Sequence, residues 1–112
     1  MASPLQQIVP TQQLTGAATM LYTSASGFYT QIVALNAVNV DTGSHVITLY
    51  IVPNGSTADV TTVTTNGYPL LPNENYNGSN EYGLVLGPND ALWGLADTGG
   101  VVNIAVSGLL NG

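Results

Sequence analysis

Lysine, arginine and cysteine are absent from this sequence, and ionisable side chains of any kind are scarce. Its 112 residues include six acidic side chains and one histidine, so that charged residues make up 5% of the chain, against about 25% in an ordinary domain. Without Lys or Arg the chain cannot neutralise phosphates, and we therefore expect no nucleic-acid partner and no binding to an anionic membrane surface. Without cysteine it has no disulfide, no thiolate zinc site and no thiol nucleophile.

Long apolar runs are missing as well. No stretch reaches the roughly 18 consecutive apolar residues of a membrane-spanning helix, and residues 1–7 show neither the basic region nor the apolar core of a secretory signal. We therefore expect the chain to be made in a cytoplasm. Its length suits one domain, and an apolar content of 45% is enough for a folded core.

The residues that are plentiful are those of β-strands and turns. Thr, Val, Asn and Gly are abundant, with 13 glycines, while strong helix formers are few. Asn-Gly pairs, Asn66-Gly67 among them, predict turns between β-branched runs. The predicted strands cover residues 8–14, 20–23, 31–40, 45–52, 60–65, 82–86, 91–96 and 101–106. We predict an all-β fold, a single antiparallel β-sandwich of jelly-roll type with roughly seven or eight strands and with its strand order left open.

Two of these strands, residues 31–40 and 45–52, are apolar on both faces. In the first, strict alternation places Ile32 and Ala34 on one face and Val33 and Leu35 on the other. Either the second face is a tolerated apolar surface, or a neighbouring subunit covers it. The scarcity of charge favours a covered face, because a lone soluble domain normally carries abundant surface charge.

Residues 1–16 predict an extended segment, since two prolines keep this stretch out of helices. Two interpretations stay open: an edge strand or frayed terminus of the domain, or an arm that adds to a neighbour's sheet by backbone pairing. We divide the chain accordingly into an N-terminal arm, residues 1–16, and a β-sandwich domain, residues 17–112.

No constellation of side chains predicts catalysis or metal binding. Ser44 and His45 are adjacent, and adjacent residues of a strand point to opposite faces, so they are poorly placed as nucleophile and base. A single histidine without a companion does not make a transition-metal site. Residues 73–81 imitate the start of a calcium loop, but the twelfth position is Leu84, where a bidentate glutamate is needed. We predict no catalytic residue, no metal site and no cofactor, and hence a protein that is not an enzyme.

Apolar and aromatic side chains are the candidates for contact with a partner. Tyrosine and tryptophan are frequent anchors of protein interfaces, and aromatic faces also bind sugars, which keeps a carbohydrate-binding module as an alternative. The candidates are Ile8, Val9 and Leu14 in the arm, and Tyr50, Tyr68, Tyr76, Tyr82 and Trp93 in the domain.

Three motifs follow one another between residues 31 and 108. They are Leu49-Tyr50-Ile51-Val52-Pro53 before a turn of small residues, the turn Leu86-Gly87-Pro88-Asn89-Asp90, and the strand Val101–Gly108, which ends in Ser-Gly. This order resembles small all-β structural proteins encoded among the head and tail genes of tailed bacteriophages. Asn89 stands where that pattern has glycine, a mild change because asparagine also adopts a left-handed conformation.

The resemblance implies a non-enzymatic virion component, assembled in the host cytoplasm. Small β-sandwich or jelly-roll proteins of this kind act as capsid decoration (cement) proteins, which bind the major capsid protein of the shell as dimers or trimers. Tail- or fibre-associated subunits look similar, so that location is the alternative. A chain without cations must contact its partner through apolar groups, amides or its own carboxylates.

Overall fold

The structure, a computed structural model, describes residues 5–111. In this range the chain forms nine β-strands and no helix, hence none long and apolar enough to cross a membrane. The strands are β1 (Leu5–Gln13), β2 (Thr19–Thr23), β3 (Tyr29–Asn39), β4 (His45–Val52), β5 (Val63–Leu70), β6 (Asn75–Tyr76), β7 (Val85–Leu86), β8 (Ala91–Ala96) and β9 (Val102–Asn111).

The strands pair into two antiparallel sheets. The five-stranded sheet has the order β1-β9-β3-β6, with β7 also paired to β3, and the four-stranded sheet has the order β2-β8-β4-β5. The prediction of an all-β fold with two antiparallel sheets is confirmed. The described chain has nine strands and not eight because β6, two residues long, lies in none of the predicted strands, while the strand predicted over residues 82–86 is shortened to β7.

Apolar side chains from both sheets form one core. Val9, Ile32 and Ile104 of the five-stranded sheet and Ile47 and Leu92 of the four-stranded sheet are all fully buried. Each sheet therefore presents one face to the core and the other outward, which is the arrangement of a β-sandwich.

A β-bulge in β3 changes which residues point inward. The register against β9 shifts between Ile32 and Ala34, so the buried positions are Thr30 and Ile32 before the bulge but Leu35, Ala37 and Asn39 after it. The predicted strict alternation through residues 31–40 is wrong, because an extra residue at a bulge exchanges the two faces of a strand.

Two strands have the predicted bounds, and others differ because of their pairing. The bounds of β4 and β8 are those predicted, whereas β9 extends to Asn111 because it pairs with both β1 and β3. Asn66-Gly67 does not form the expected turn; it lies within β5, at a bulge opposite Thr48, and the Gly67 N–H donates to the Thr48 hydroxyl at 3.2 Å.

The N-terminal segment belongs to the domain. β1 is an edge strand paired along β9, and the Leu14 N–H donates to the Val102 carbonyl at 2.9 Å. Ile8, Val9 and Leu14 are 7%, 0% and 1% exposed. Of the two interpretations left open, the edge strand describes residues 5–13, and the division at residues 16 and 17 does not separate an arm from the sandwich; residues 1–4 of the predicted arm lie outside the described residues.

Gly78 holds the connection between β6 and β7 against β3, and its replacement tests that contact. An added Cβ at this position would lie 2.6 Å from Leu35 Cβ. Gly27 has a similar positive φ, but nothing lies within 4 Å of its Cβ position. We expect Gly27→Ala to lower the free energy of unfolding by about 1–2 kcal/mol through backbone strain alone, and Gly78→Ala to lower it by about 1–3 kcal/mol more.

Urea unfolding followed by circular dichroism measures both variants. Equal losses for the two alanine variants would show that the close approach of Gly78 to Leu35 does not contribute to stability.

Candidate interaction surfaces

Every carboxylate of this protein lies outside the strands. None of the nine strands contains Asp or Glu, whereas each of the six successive connections from β3 to β9 contains one. In chain order they are Asp41, Asp59, Glu74, Glu81, Asp90 and Asp97. The outer faces of both sheets are consequently free of negative charge.

Within residues 5–111, four of these carboxylates accept hydrogen bonds from backbone N–H groups and hydroxyls alone, in the connections or in the strands beside them. Asp90 accepts from the N–H groups of Gly87 and Asn54, both at 2.8 Å. Asp59 accepts from the Thr61 N–H at 2.9 Å, and Glu74 accepts from the Leu71 N–H at 2.9 Å. The bond from Gly87, three residues back, closes its turn around the Asp90 side chain.

Glu81 is the fourth, and it is completely buried. Its two oxygens accept hydrogen bonds from the hydroxyls of Thr64, Thr65 and Tyr76, each at 2.6 Å. The Asn80 N–H in turn donates to the Tyr76 oxygen at 2.9 Å. Burial raises the pKa of Tyr76, and its hydrogen bond to Glu81 adds to that shift. This network ties the β6–β7 connection to β5 and orders the chain on that side of the sandwich.

His45 joins the two remaining carboxylates. Its Nε2 lies 2.7 Å from Asp41 Oδ2 and its Nδ1 lies 2.8 Å from Asp97 Oδ1, and its side chain is 12% exposed. The hydrogen bonds to Asp41 and then Asp97 raise the pKa of His45, while the bond to His45 lowers the pKa of Asp41. Through this contact Asp97 joins the β8–β9 connection to the start of β4.

The outer face of the four-stranded sheet is aromatic and apolar. Ile47 and Leu49 point into the core, so Val46, Thr48 and Tyr50 point outward. Trp93 lies directly opposite Tyr50 across the β4–β8 pair, and Met20 of β2 lies on the other side of Trp93. We call this surface the aromatic face; its members are Met20, Val46, Thr48, Tyr50, Trp93 and Leu95.

The outer face of the five-stranded sheet carries amides and small side chains. Ala34 and Asn36 of β3 lie beside Ser107 and Ala105 of β9, and the Asn75 side-chain Nδ2 donates to the Asn36 side-chain Oδ1 at 2.9 Å. At one end of this face an open depression of about 240 Å³ is lined by Tyr29, Gln31, Val85, Leu109 and Asn111. It is smaller than the roughly 300–1,000 Å³ of a typical small-molecule site and contains no charged group.

The predicted interface residues fall into three places. Ile8, Val9, Leu14 and Tyr76 are buried in the protein's own core, and their assignment to an interface is corrected because no partner can reach them in the folded chain. Tyr50 and Trp93 lie side by side on the aromatic face. Tyr68 and Tyr82 are 39% and 69% exposed at the edges of the sandwich.

Other surface residues could not be recognised in the sequence. Met20 was not predicted as a surface contact because β2 is short and only half apolar, and its place beside Trp93 follows from strand pairing alone.

Within residues 5–111 no group of three His, Cys, Asp or Glu side chains is placed to hold a metal ion. Both nitrogens of His45 are occupied by aspartates, so Ser44 has no base beside it.

Comparison of the chain with protein-family models, curated protein sequences and solved structures finds no match. A function for this chain is therefore inferred from its residues and geometry.

Glu81→Gln tests the buried network. The variant keeps the size of the side chain but replaces an acceptor oxygen with an N–H₂ donor that faces hydroxyl donors. We expect the free energy of unfolding to fall by about 1–3 kcal/mol, measured by urea unfolding. Glu74→Gln is the matched control, since Glu74 is exposed and its amide could still accept from Leu71; it should change stability by about 0.5 kcal/mol or less. Equal effects would show that burial of Glu81 has no consequence for stability.

The clamp formed by His45 predicts a pH dependence. Protonated His45 is favoured in the folded state, so its contribution is complete below the ordinary pKa of 6.5 and is lost as pH rises through the raised folded pKa. The contribution of Asp41, whose pKa is lowered, is complete above its ordinary 3.8 and is lost as pH falls through the folded pKa.

Stability of the wild type should therefore fall, relative to His45→Gln, as pH rises above the ordinary histidine pKa of 6.5. Urea unfolding of both proteins on either side of that pH measures the difference, and the comparison cancels the titration of groups that do not contact His45. Parallel curves for the two proteins would contradict the clamp.

Proposed function

We propose that this chain is a capsid decoration (cement) protein of a tailed bacteriophage, a non-enzymatic component that binds the outer shell and stabilises contacts between capsomers. The observation that carries the proposal is the placement of charge. All six carboxylates are confined to connections and bonded within the fold, while both outer faces of the sandwich are uncharged. A surface of this kind can be covered by another protein without desolvating a charge, which would be costly.

The edges of the sheets support the same conclusion. Edge strands of free soluble proteins are commonly protected by lysine or other charged side chains. β1 is nine residues long and has no charged residue, and β2 and β5 at the edges of the other sheet have none either. Such edges are suited to a protein that is held among neighbours.

The strand order supports a jelly roll. β6 and β7 both pair with β3 and can be counted as one interrupted strand. The sheets then contain the first, eighth, third and sixth strands, and the second, seventh, fourth and fifth. This is the pairing of the double Greek-key jelly roll, an architecture used by viral capsid and lectin domains.

The partner in this proposal is the major capsid protein, and the aromatic face is the surface that meets it. Aromatic side chains in a cluster without charge provide the large apolar contact typical of interface centres. The outer face of the five-stranded sheet is also uncharged, and it suits association of copies into a dimer or trimer. The proposal includes a virion location, with assembly in the host cytoplasm, and needs no nucleic acid, membrane or cofactor.

A tail- or fibre-associated subunit is the alternative with the same fold. Decoration proteins cover a whole shell, whereas tail components are present in far fewer copies, so the number of copies per purified particle separates the two.

A carbohydrate-binding module is the second alternative, and one observation favours it. Tyr50 and Trp93 lie opposite one another on an outward-facing sheet surface, where aromatic rings could stack on sugars. A glycan array read with the wild type and with Trp93→Ala distinguishes this function: a signal that the variant loses would support sugar recognition.

Binding to particles tests the main proposal. Particles of the encoding phage, assembled without this protein, are mixed with the purified chain, and bound protein is measured by co-sedimentation. We expect tight binding that Trp93→Ala weakens by about 2 kcal/mol, roughly 30-fold. Because the contact is uncharged, raising salt from about 0.1 to about 0.5 M should change the affinity little.

Phe28→Ala is the matched control, since Phe28 is an exposed aromatic residue in the connection between β2 and β3 and belongs to neither sheet. It should bind as the wild type does, and thermal unfolding confirms that both variants are folded. Failure of the wild type to bind contradicts the decoration function. Wild-type binding that Trp93→Ala leaves intact contradicts the aromatic face as the contact, and a steep loss of affinity with salt points to the carboxylates instead.

A further inference from the structure

Three Asn-Gly pairs lie inside the described chain, and their surroundings differ. They are Asn54-Gly55, Asn66-Gly67 and Asn77-Gly78. We propose that Asn54 is a site of spontaneous deamidation in the folded protein and that the fold protects Asn66 and Asn77. This inference concerns chemistry of the chain itself and does not depend on the proposed function.

The reaction needs only the chain and water. The backbone nitrogen of the glycine attacks Cγ of the preceding asparagine, forming an N–C bond and expelling the side-chain amide as ammonia. The resulting five-membered succinimide is then opened by water at either of its two carbonyls. Opening gives aspartate or isoaspartate, so each event replaces a neutral amide with a carboxylate.

Asn54-Gly55 is free to follow this path. The pair occupies the centre of the turn Pro53–Ser56, which is closed by a hydrogen bond from the Ser56 N–H to the Pro53 carbonyl at 2.9 Å. Gly55 has a φ of 86°, as the third residue of a type II turn requires. Both residues are exposed, and within residues 5–111 the Gly55 N–H donates no hydrogen bond. The nucleophile is therefore unengaged, and nothing lies within 4 Å of the position that a Cβ on Gly55 would occupy.

The other two pairs are held by the fold, Asn66-Gly67 through its glycine N–H and Asn77-Gly78 through close packing around its glycine. The Gly67 N–H donates to the Thr48 hydroxyl at 3.2 Å from within β5. Gly78 is buried against Leu35, and its carbonyl accepts from the N–H groups of Glu81 and Tyr82 at 3.0 and 2.9 Å. Ring closure at either pair requires the backbone to leave these contacts. A fourth pair, Asn111-Gly112, is outside this comparison because Gly112 lies outside the described residues.

Deamidation at this turn would alter its charge. The Asn54 N–H donates to Asp90 Oδ1 at 2.8 Å, so a new carboxylate at position 54 would form beside an existing one. The net charge would become one unit more negative than the formal −6 of the chain. This event would give the protein a second, more acidic form that accumulates with age.

Peptide mapping by mass spectrometry tests the proposal on the folded full chain during prolonged incubation in mildly alkaline buffer. We expect Asn54 to lose its amide first, with aspartate and isoaspartate both formed, while Asn66 and Asn77 keep theirs. In urea the differences among the three pairs should disappear, because protection comes from the fold.

Isoelectric focusing provides the second measurement. Asn54→Gln should suppress the early acidic form, since a glutamine cannot close the same five-membered ring, whereas Asn66→Gln should leave it unchanged. Conversion of Asn66 or Asn77 as early as Asn54 in the folded chain would overturn the proposal, as would an early acidic form of Asn54→Gln that peptide mapping does not assign to Asn111.

Discussion

This structure depends on the hydrogen bonds that carboxylates in the connections accept. With so few charges in the chain, each one from β3 onward bonds within the fold: Asp90 joins two connections, Glu81 ties a third to β5, and His45 bridges Asp41 and Asp97. Backbone N–H groups in tight turns have no strand partner, and a carboxylate is the strongest acceptor the side chains offer. Charge is therefore concentrated where it orders the turns.

The same placement explains the surface. Once the carboxylates are occupied in the connections, the strands present only aromatic, aliphatic, amide and hydroxyl groups, and neither sheet carries charge that would oppose close contact. The aromatic face and the outer face of the five-stranded sheet differ in the side chains they present. In the proposed function, stability depends on the connections and association on the strand faces.

Sequence patterns predicted the regular strands well and the irregular ones poorly. β4 and β8 have the predicted bounds because their alternation is uninterrupted, whereas the bulge in β3 and the pair Asn66-Gly67 within β5 depend on the opposing strand. The interface candidates divide in the same way. The side chains of Tyr50 and Trp93 point outward because they lie in regular strands. Tyr76 is buried and donates a hydrogen bond to Glu81, five residues away, whose own burial no local pattern indicates.

Composition and periodicity by themselves determined the fold class, the antiparallel pairing and the lack of lysine and arginine side chains, because these follow from residue types and their spacing along the chain. Tertiary structure alone decided that β1 completes the five-stranded sheet, that Met20, Tyr50 and Trp93 share one face, and that the carboxylates are bonded internally. These outcomes depend on contacts between segments far apart in the chain. Their geometry is set by strand register and by bulges, which shift a side chain from one face to the other without any local sign.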